Sequence, residues 1–433
     1  MVIIRIMNIQ LKLISMAVKT RWRAWLIWGI ASFFYLYEYI QRVIPGTVVD
    51  ELMNSFSANA TDISNMAAFY FYSYALLQLP VGVLADYFGP KRPLFWACFL
   101  CVAGCFAFSQ SDTLMAAKAS RFLIGAGSAF AYLCCLRLSV NWFPVERFSL
   151  VCGLVGVVGM LGAFASVTTL TLLLKTIDWR TLLVWISIIG LINAALIWFF
   201  VKDFPGKIMP KPKRHSSSLS VASILTALRT PQIWLSGLYC GMVYTIFDAV
   251  GDLWGINYLT TTYKLSKMHA AEINSLIFLG GMVGSVLLGK VAQHYHQRKP
   301  LLLLTALLGL LTSSLLVLNH HLPIWSVIAV FFLLGCVGSG FVISMTLAKE
   351  SLPLLMSGVT MGCVNTLSVC IESSTQPLLG FLLDWHHAPS STSTHMVYNA
   401  ASYNFAFTLL PCLCLLGMLV TLLMRESRGQ QCS

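Results

Sequence analysis

Apolar residues in this chain fall in long runs rather than in alternation, and short clusters of charge, Gly and Pro separate them. Twelve runs can be marked, at about 24–49, 62–85, 93–110, 113–140, 149–174, 181–201, 232–260, 270–291, 300–319, 323–348, 357–383 and 403–424. Most reach the ~20 residues that carry a helix across a bilayer, and none shows the ten-residue alternation of a membrane barrel. In hydrocarbon each backbone amide must find its partner inside its own segment, so these runs predict helices. The expected fold is an all-α membrane protein of 12 transmembrane helices.

The polar breaks repeat. Gly82-Val-Leu-Ala85-Asp86-Tyr-Phe-Gly89-Pro-Lys91-Arg92-Pro93 lies between the second and third runs. Gly289-Lys-Val-Ala292-Gln293-His-Tyr-His-Gln-Arg298-Lys299-Pro300 follows 207 residues later with Gly, Ala, the basic pair and Pro in step. Phe122-Leu-Ile-Gly125 and Phe332-Leu-Leu-Gly335 match at a shift of 210, as do Asp62-Ile63 and Glu272-Ile273. Two six-helix halves in one orientation imply a binding site between them near the bilayer midplane. A polar stretch containing Lys207, Pro210, Lys211, Pro212, Lys213, Arg214 and Ser216 to Ser218 reads as a linker. The expected parts are a cytoplasmic tail 1–23, a bundle 24–201, a cytoplasmic linker 202–231, a bundle 232–424 and a tail 425–433, with Met16 an alternative start.

Composition agrees with the pattern: 58% of residues are hydrophobic and 10% charged, against about 25% charged in soluble domains. The formal charge of +12 would suggest nucleic acid in a soluble protein. Its placement gives another reading. Of the 28 Lys and Arg, 20 fall in the tails, the linker and the loops on their side, and only Lys175, Arg180, Lys264 and Lys267 fall in the opposite loops. That asymmetry predicts both termini in the cytoplasm, and nucleic acid is not needed to explain the charge. The 13 cysteines lie mostly within apolar runs and form no paired ligand set, so neither a metal, a cofactor nor a disulfide framework is expected. With no nucleophile–base set either, an enzyme is not expected.

Ionisable groups inside a membrane are costly and point to function. Glu38 and Arg42 stand four apart in the first run, on one helix face. Asp248 and Asp252 have the same spacing in the seventh run, and the 210-residue shift sets Asp248 opposite Glu38. Arg121 and Arg137 lie in the fourth run, and Glu372 lies in the eleventh beside Ser373, Ser374, Thr375 and Gln376. Glu38 and Arg42 can pair with each other, or these carboxylates and arginines can clamp a zwitterion or anion or exchange protons. Tyr39 and Tyr72 belong to aromatic clusters able to wall such a site. Pro45, Pro80 and Pro377 are candidate kinks, and Gly153, Gly156, Gly159 and Gly162 suit close helix packing.

Over nearly its whole length the chain resembles the major facilitator superfamily. Gly82-x-Leu-Ala-Asp86-x-x-Gly89-x-Lys91-Arg92 is similar to that superfamily's signature loop, which implies a gating role for Asp86, Gly89, Lys91, Arg92 and, after the fourth helix, Arg147. The second copy has Gln293 in place of the Asp. Arg121-Phe-Leu-Ile-Gly125-x-Gly127 resembles the helix-4 motif whose arginine is tied to coupling. Asn141-Trp142-Phe143-Pro144-x-Glu146-Arg147, Asp178-Trp179-Arg180 and Tyr39-x-x-Arg42 are similar to the organic anion symporter branch, although Gln41 and Ser128 stand where that branch carries acids. Tyr37-Glu38-Tyr39-x-x-Arg42-Val43-x-Pro45 with Phe69-Tyr-Phe-Tyr72 resembles phagosomal-type amino acid transporters of intracellular bacteria.

The expected protein is a monomeric, proton-coupled importer of an amino acid or similar small polar metabolite in the bacterial cytoplasmic (inner) membrane. Arg42, Arg121, Tyr39, Tyr72 and Glu372 would bind substrate, and Glu38, Asp248 and Asp252 would handle protons. An exporter or importer of a siderophore, sugar acid or other organic anion is the alternative. A non-transporting membrane sensor is remote, since no soluble signalling domain is seen.

Overall fold

The structure is a computed structural model that describes residues 2–205, 221–295, 297–318, 322–353, 356–386 and 398–427. Its first half comprises α1 (Val2–Thr47), α2 (Val49–Phe56), α3 (Ala60–Phe88), α4 (Lys91–Ser109), α5 (Leu114–Ser128), α6 (Ala131–Trp142), α7 (Val145–Leu173) and α8 (Trp179–Phe200). After α9 (Val221–Arg229), the second half opens with α10 (Pro231–Ile246), a π-helical turn (Phe247–Trp254) and α11 (Gly255–Thr262). It continues through α12 (Lys267–Tyr295), α13 (Lys299–Leu318), α14 (Ile324–Gly338), α15 (Gly340–Glu350), α16 (Ser357–Trp385), α17 (Ala400–Phe407) and α18 (Leu409–Leu423).

Nine helical stretches among the described residues are long and apolar enough to cross a membrane, several of them joined from two or three of these pieces. With α1, α3 and α16 they make the twelve crossings of two six-helix pseudo-repeats. Those three are at least 29 residues long. Across the two halves α3 packs on α16, and α1 packs on the π-helical turn. Helices α7 and α12 form the other long seam between the halves.

The repeated Phe-Leu-x-Gly string does the same work twice. A β-carbon on Gly125 of α5 would sit 2.0 Å from the Tyr70 carbonyl oxygen of α3, and one on Gly335 of α14 would sit 1.9 Å from the Ile277 carbonyl oxygen of α12. Only glycine permits that backbone approach. The glycines of α7 divide: Gly159 and Gly162 lie against Tyr35, Tyr39 and Leu36 of α1, whereas Gly153 and Gly156 have open space where a side chain would be.

Two features mark the ends of the bundles. Helix α1 is continuous from Val2, with no break before residue 24. The expected linker holds a helix, α9, over Val221–Arg229, while residues 206–220 lie outside the described residues. Pro80 and Pro377 sit inside α3 and α16, and Pro45 sits in the last turn of α1.

Candidate functional site

Helix α1 presents Glu38 and Arg42 toward different partners. The four-residue spacing allows them to pair, yet Arg42 reaches across to the second half. Its Nε donates to Asp252 Oδ2 at 2.6 Å, and its Nη2 donates to Asp248 Oδ1. Both aspartates are almost fully buried and Arg42 is 12% exposed. The aspartates are delivered by the π-helical turn, whose wider winding frees backbone groups. Asn274 Nδ2 satisfies one of them, the Gly251 carbonyl, at 2.9 Å. The guanidinium is framed by the rings of Phe71, Tyr39 and Tyr244 at 5.1, 5.6 and 6.0 Å. An ion pair this deep is costly to break on one side only, at about 3–5 kcal/mol, because the remaining charge stays buried.

Asp248 also lies within hydrogen-bonding reach of Glu372 on α16, and Ser368 Oγ donates to Glu372 Oε1 at 2.5 Å. One oxygen of each aspartate, Asp248 Oδ2 and Asp252 Oδ1, receives no donor among the described residues. Two carboxyl groups from the second half therefore hold one guanidinium from the first, and Glu372 stands beside one of them, Asp248.

Glu38 belongs to a neighbouring cluster inside the first half. The Tyr70 hydroxyl donates to its Oε1. Arg121 lies over the Tyr70 ring at 4.9 Å, and its Nη1 donates to the Gln41 carbonyl at 2.8 Å. Gln41 in turn donates to the Tyr37 hydroxyl at 2.8 Å. Arg121 is 1% exposed, so it grips the backbone of α1 one residue before Arg42 instead of opening onto the seam. Tyr39 joins the Arg42 site and packs edge-on to Tyr35. Tyr72 stays apart, 38% exposed with its ring against Phe69. Its neighbours Tyr70 and Phe71, not Tyr72 itself, are turned toward the charges, because successive helical positions are rotated by about 100°.

Residues 27–371 match the family model described as Major Facilitator Superfamily. The chain belongs to that superfamily. It is similar to the uncharacterized transporter YybO of Bacillus subtilis (strain 168), at 28% identity over 48% of this chain and 47% of that one, so the chain spans about half the length of that relative. The probable sulfoacetate transporter SauU of Cupriavidus necator is 22% identical over 65% of this chain and 67% of its own length. The probable galactarate/D-glucarate transporter GudP of Bacillus subtilis is 22% identical over 82% and 86%. Among solved structures, a bacterial homolog of the human lysosomal transporter Spinster, in an inward-facing and unoccupied conformation, superposes with a TM-score of 0.74. It is 12% identical and covers 94% of this chain and 97% of that one, which shows the shared fold.

This chain is thus a multi-pass membrane protein of a superfamily of transporters, and the relatives named above are transporters and not enzymes. Its signature loop makes the turn expected of it. Gly89 has φ +76°, in the left-handed region that favours glycine, and a β-carbon there would meet the Asp203 carboxylate at 2.9 Å. Asp203 Oδ1 accepts from the Lys91 amide at 2.7 Å, capping α4, and Lys91 Nζ lies 5.5 Å from the centre of the Trp198 ring. Arg92 and Arg147 are exposed. The Asp86 side chain lies outside the described residues, although its backbone continues α3. In the second copy, where Gln293 replaces the Asp, Arg298 Nη2 pairs with Glu350 at 3.0 Å within its own half.

Sequence reading passed over Asp203, Glu350 and Asp384. They stand at or beyond helix ends, where a carboxylate is usually solvated, and nothing local distinguishes these three from surface acids.

Proposed function

We propose that this protein is a proton-coupled secondary active transporter that takes up a small carboxylate-bearing metabolite, an amino acid first, by alternating access across the bacterial cytoplasmic membrane. One observation carries the reading: Arg42, the buried cation at the seam, is held by Asp248 and Asp252 of the opposite half. A substrate carboxylate competes for the same guanidinium, and protons on the aspartates release it. Neutralising the aspartates and seating the substrate are then one event, which couples the proton to uptake. Asp248, Asp252 and Glu372 outnumber the cations they face, so the site has room for a positive group. A substrate ammonium supplies one, which favours a zwitterion.

In this reading Arg42 and Tyr39 contact substrate, Asp248, Asp252 and Glu372 take protons or the ammonium, and Glu38 responds through Tyr70. Arg121 positions α1, and Tyr72 has no direct part. The signature loop, with Asp86, Gly89, Lys91, Arg92 and Arg147, faces the cytoplasm as the charge asymmetry implies, and the protein acts as a monomer. A second reading has an observation of its own. Relatives named for sulfoacetate and for galactarate and D-glucarate, all three anions, support a sugar acid or other organic anion bound by Arg42 alone.

The test is uptake by proteoliposomes under an imposed proton gradient, preceded by a thermal-unfolding screen of amino acids, sugar acids and other organic anions. A ligand of the folded state raises the midpoint. Midpoint increases with amino acids, lost in Arg42→Gln, support the first reading. Increases confined to sugar acids or sulfonates replace it with the second. Uptake that persists unchanged in Arg42→Gln removes the assignment of the site.

A further inference from the structure

The two ends of the bundle are bonded differently. At the end that carries the α2–α3 joint, α3 opens with Asn59, whose side chain accepts from the Asp62 amide at 2.8 Å. The first amides of the helix, those of Ala60 and Thr61, find no intrahelical acceptor, as at every helix N-terminus. The second half supplies one. Ala60 N–H donates to Asp384 Oδ1 at 3.2 Å and to the Tyr398 hydroxyl at 2.9 Å, and Thr61 N–H donates to Asp384 Oδ2 at 2.9 Å. The Thr61 hydroxyl donates to the same carboxylate, and the Tyr398 hydroxyl donates to Asp384 Oδ1.

Gly380, one turn before Asp384 on α16, makes the approach possible. A β-carbon there would lie 2.5 Å from the Ala60 carbonyl oxygen and 2.6 Å from Ser64 Oγ. Two further bonds cross between the halves at this end: Asn257 Nδ2 to Asp50 Oδ1 at 2.6 Å and Lys267 Nζ to Glu51 at 2.7 Å. At the opposite end the Lys91 amide, Trp142, Arg298 and Lys299 all bond within their own half.

We infer that Asp384, with Tyr398, is a latch that closes the Asn59 end of the transporter by capping α3 from the opposite half. A carboxylate at a helix N-terminus gains from both the amide bonds and the helix dipole. Here that gain exists only while the halves are together at this end. When they rock apart, Asp384, Ala60 and Thr61 turn to water, so the cap biases the alternating-access equilibrium without touching the substrate site. The inference uses the alternating-access part of the proposed function but neither its substrate nor its coupling ion.

The full-length protein in lipid is labelled at Lys175 and Lys264, exposed positions in loops of the two halves at this end, through a bio-orthogonal amino acid that leaves the native cysteines in place. Electron–electron double resonance then reads the distance between the labels. Unaltered protein is expected to populate mainly the short distance. Asp384→Ala raises the long-distance population by roughly tenfold, the scale of a lost helix cap. Tyr398→Phe, a milder change that removes only the hydroxyl, raises it by a smaller factor. Gly380→Val, which wedges α16 from α3, opens this end regardless of charge. An unchanged distance distribution in Asp384→Ala and Tyr398→Phe overturns the latch, even where the unfolding temperature falls, since a merely structural residue lowers stability without moving the halves. No substrate enters the measurement, so the latch and the proposed transport activity fail independently.

Discussion

Arg42 and Asp252 are 210 residues apart, the shift that superimposes one half of the sequence on the other, and they bond directly at 2.6 Å. The ion pair therefore joins equivalent positions of the two pseudo-repeats, one half contributing the cation and the other the anion. Glu38 and Asp248 form the neighbouring equivalent pair, yet Glu38 faces Tyr70 within its half while Asp248 faces Arg42. The equivalent positions 42 and 252 thus carry opposite charges, a guanidinium in one half and a carboxylate in the other.

This symmetry allows a charge exchange. Arg42→Asp and Asp252→Arg, each alone, place like charges or an unpaired charge in the seam and are expected to abolish uptake and lower the unfolding temperature. The double exchange restores an ion pair across the pseudo-twofold axis and is expected to recover stability in part. A double variant no more stable than the worse single one would show that the surrounding rings and Asp248 impose the direction of the pair. Double-mutant analysis of the three unfolding midpoints measures this coupling.

Tyr70 serves two charges at once, donating its hydroxyl to Glu38 and offering its ring to Arg121. Tyr70→Phe keeps the ring and removes the donor. A buried acceptor left without its donor costs about 1–3 kcal/mol, so a lower unfolding midpoint is expected with the Arg121 contact intact. Glu38→Gln in the Tyr70→Phe background is expected to recover most of the loss, because the remaining group carries no charge. A Tyr70→Phe midpoint equal to that of the unaltered protein would mean that Glu38 finds another donor.

The fold was legible because a bilayer writes its demands on every residue of a crossing, and because the Gly-x-x-Ala turn and the Phe-Leu-x-Gly string each occur twice. The charged positions in the crossings were equally visible, since few exist. Their pairing was not. Spacing alone favoured Glu38 with Arg42, and only the packing of α1 on the π-helical turn decides that Arg42 leaves its own helix for Asp252. The π-helical turn had no signature beyond Gly251 and Gly255 near Asp252. Arg121 read as a ligand for a substrate carboxylate from its charge inside the membrane, and the Gln41 carbonyl it holds is a backbone atom that no motif can name. Asp203 and Asp384 act on helix ends in other parts of the chain, which requires the tertiary fold to be seen.

Asp203 carries a pH dependence whose sign follows from its surroundings. Burial lifts its carboxyl above the ordinary aspartate value, outweighing the pull of the Lys91 amide and of the Lys91 and Arg92 charges. A carboxyl held higher in the folded than in the unfolded chain binds more protons when folded. Its contribution is full below the ordinary range and is lost as pH rises through the folded value. Asp203→Asn keeps an acceptor for the Lys91 amide and removes the charge. Unfolding midpoints of the two proteins are expected to coincide below about pH 4, near the ordinary aspartate value, and to separate toward pH 7 with the Asn variant higher. The reverse order at pH 7 would mean that the helix dipole of α4 dominates over burial.

The paired glycines offer a test of the repeat at the level of packing. Gly125 and Gly335 are 210 residues apart in the sequence, and each lets a helix meet the backbone of its neighbour, α5 on α3 and α14 on α12. The close atom in both cases is a backbone carbonyl oxygen, which cannot swing aside as a side chain can. Gly125→Ala and Gly335→Ala should therefore each cost about 1–3 kcal/mol through forced separation of the helices, despite the higher helix propensity of alanine. Gly153→Ala and Gly156→Ala, where a β-carbon meets open space, serve as controls and should be neutral or slightly stabilising. Gly125 also adjoins Arg121 on the side of α5 that packs on Tyr70, so its variant should disturb the Glu38 cluster and transport together. Gly335 has no such neighbour among the charged groups described, and its variant should lower stability with transport per folded molecule retained. Equal losses of transport in the two would show that the halves respond to strain as one body, and the difference between the α3–α5 and α12–α14 seams would then be one of sequence and not of function.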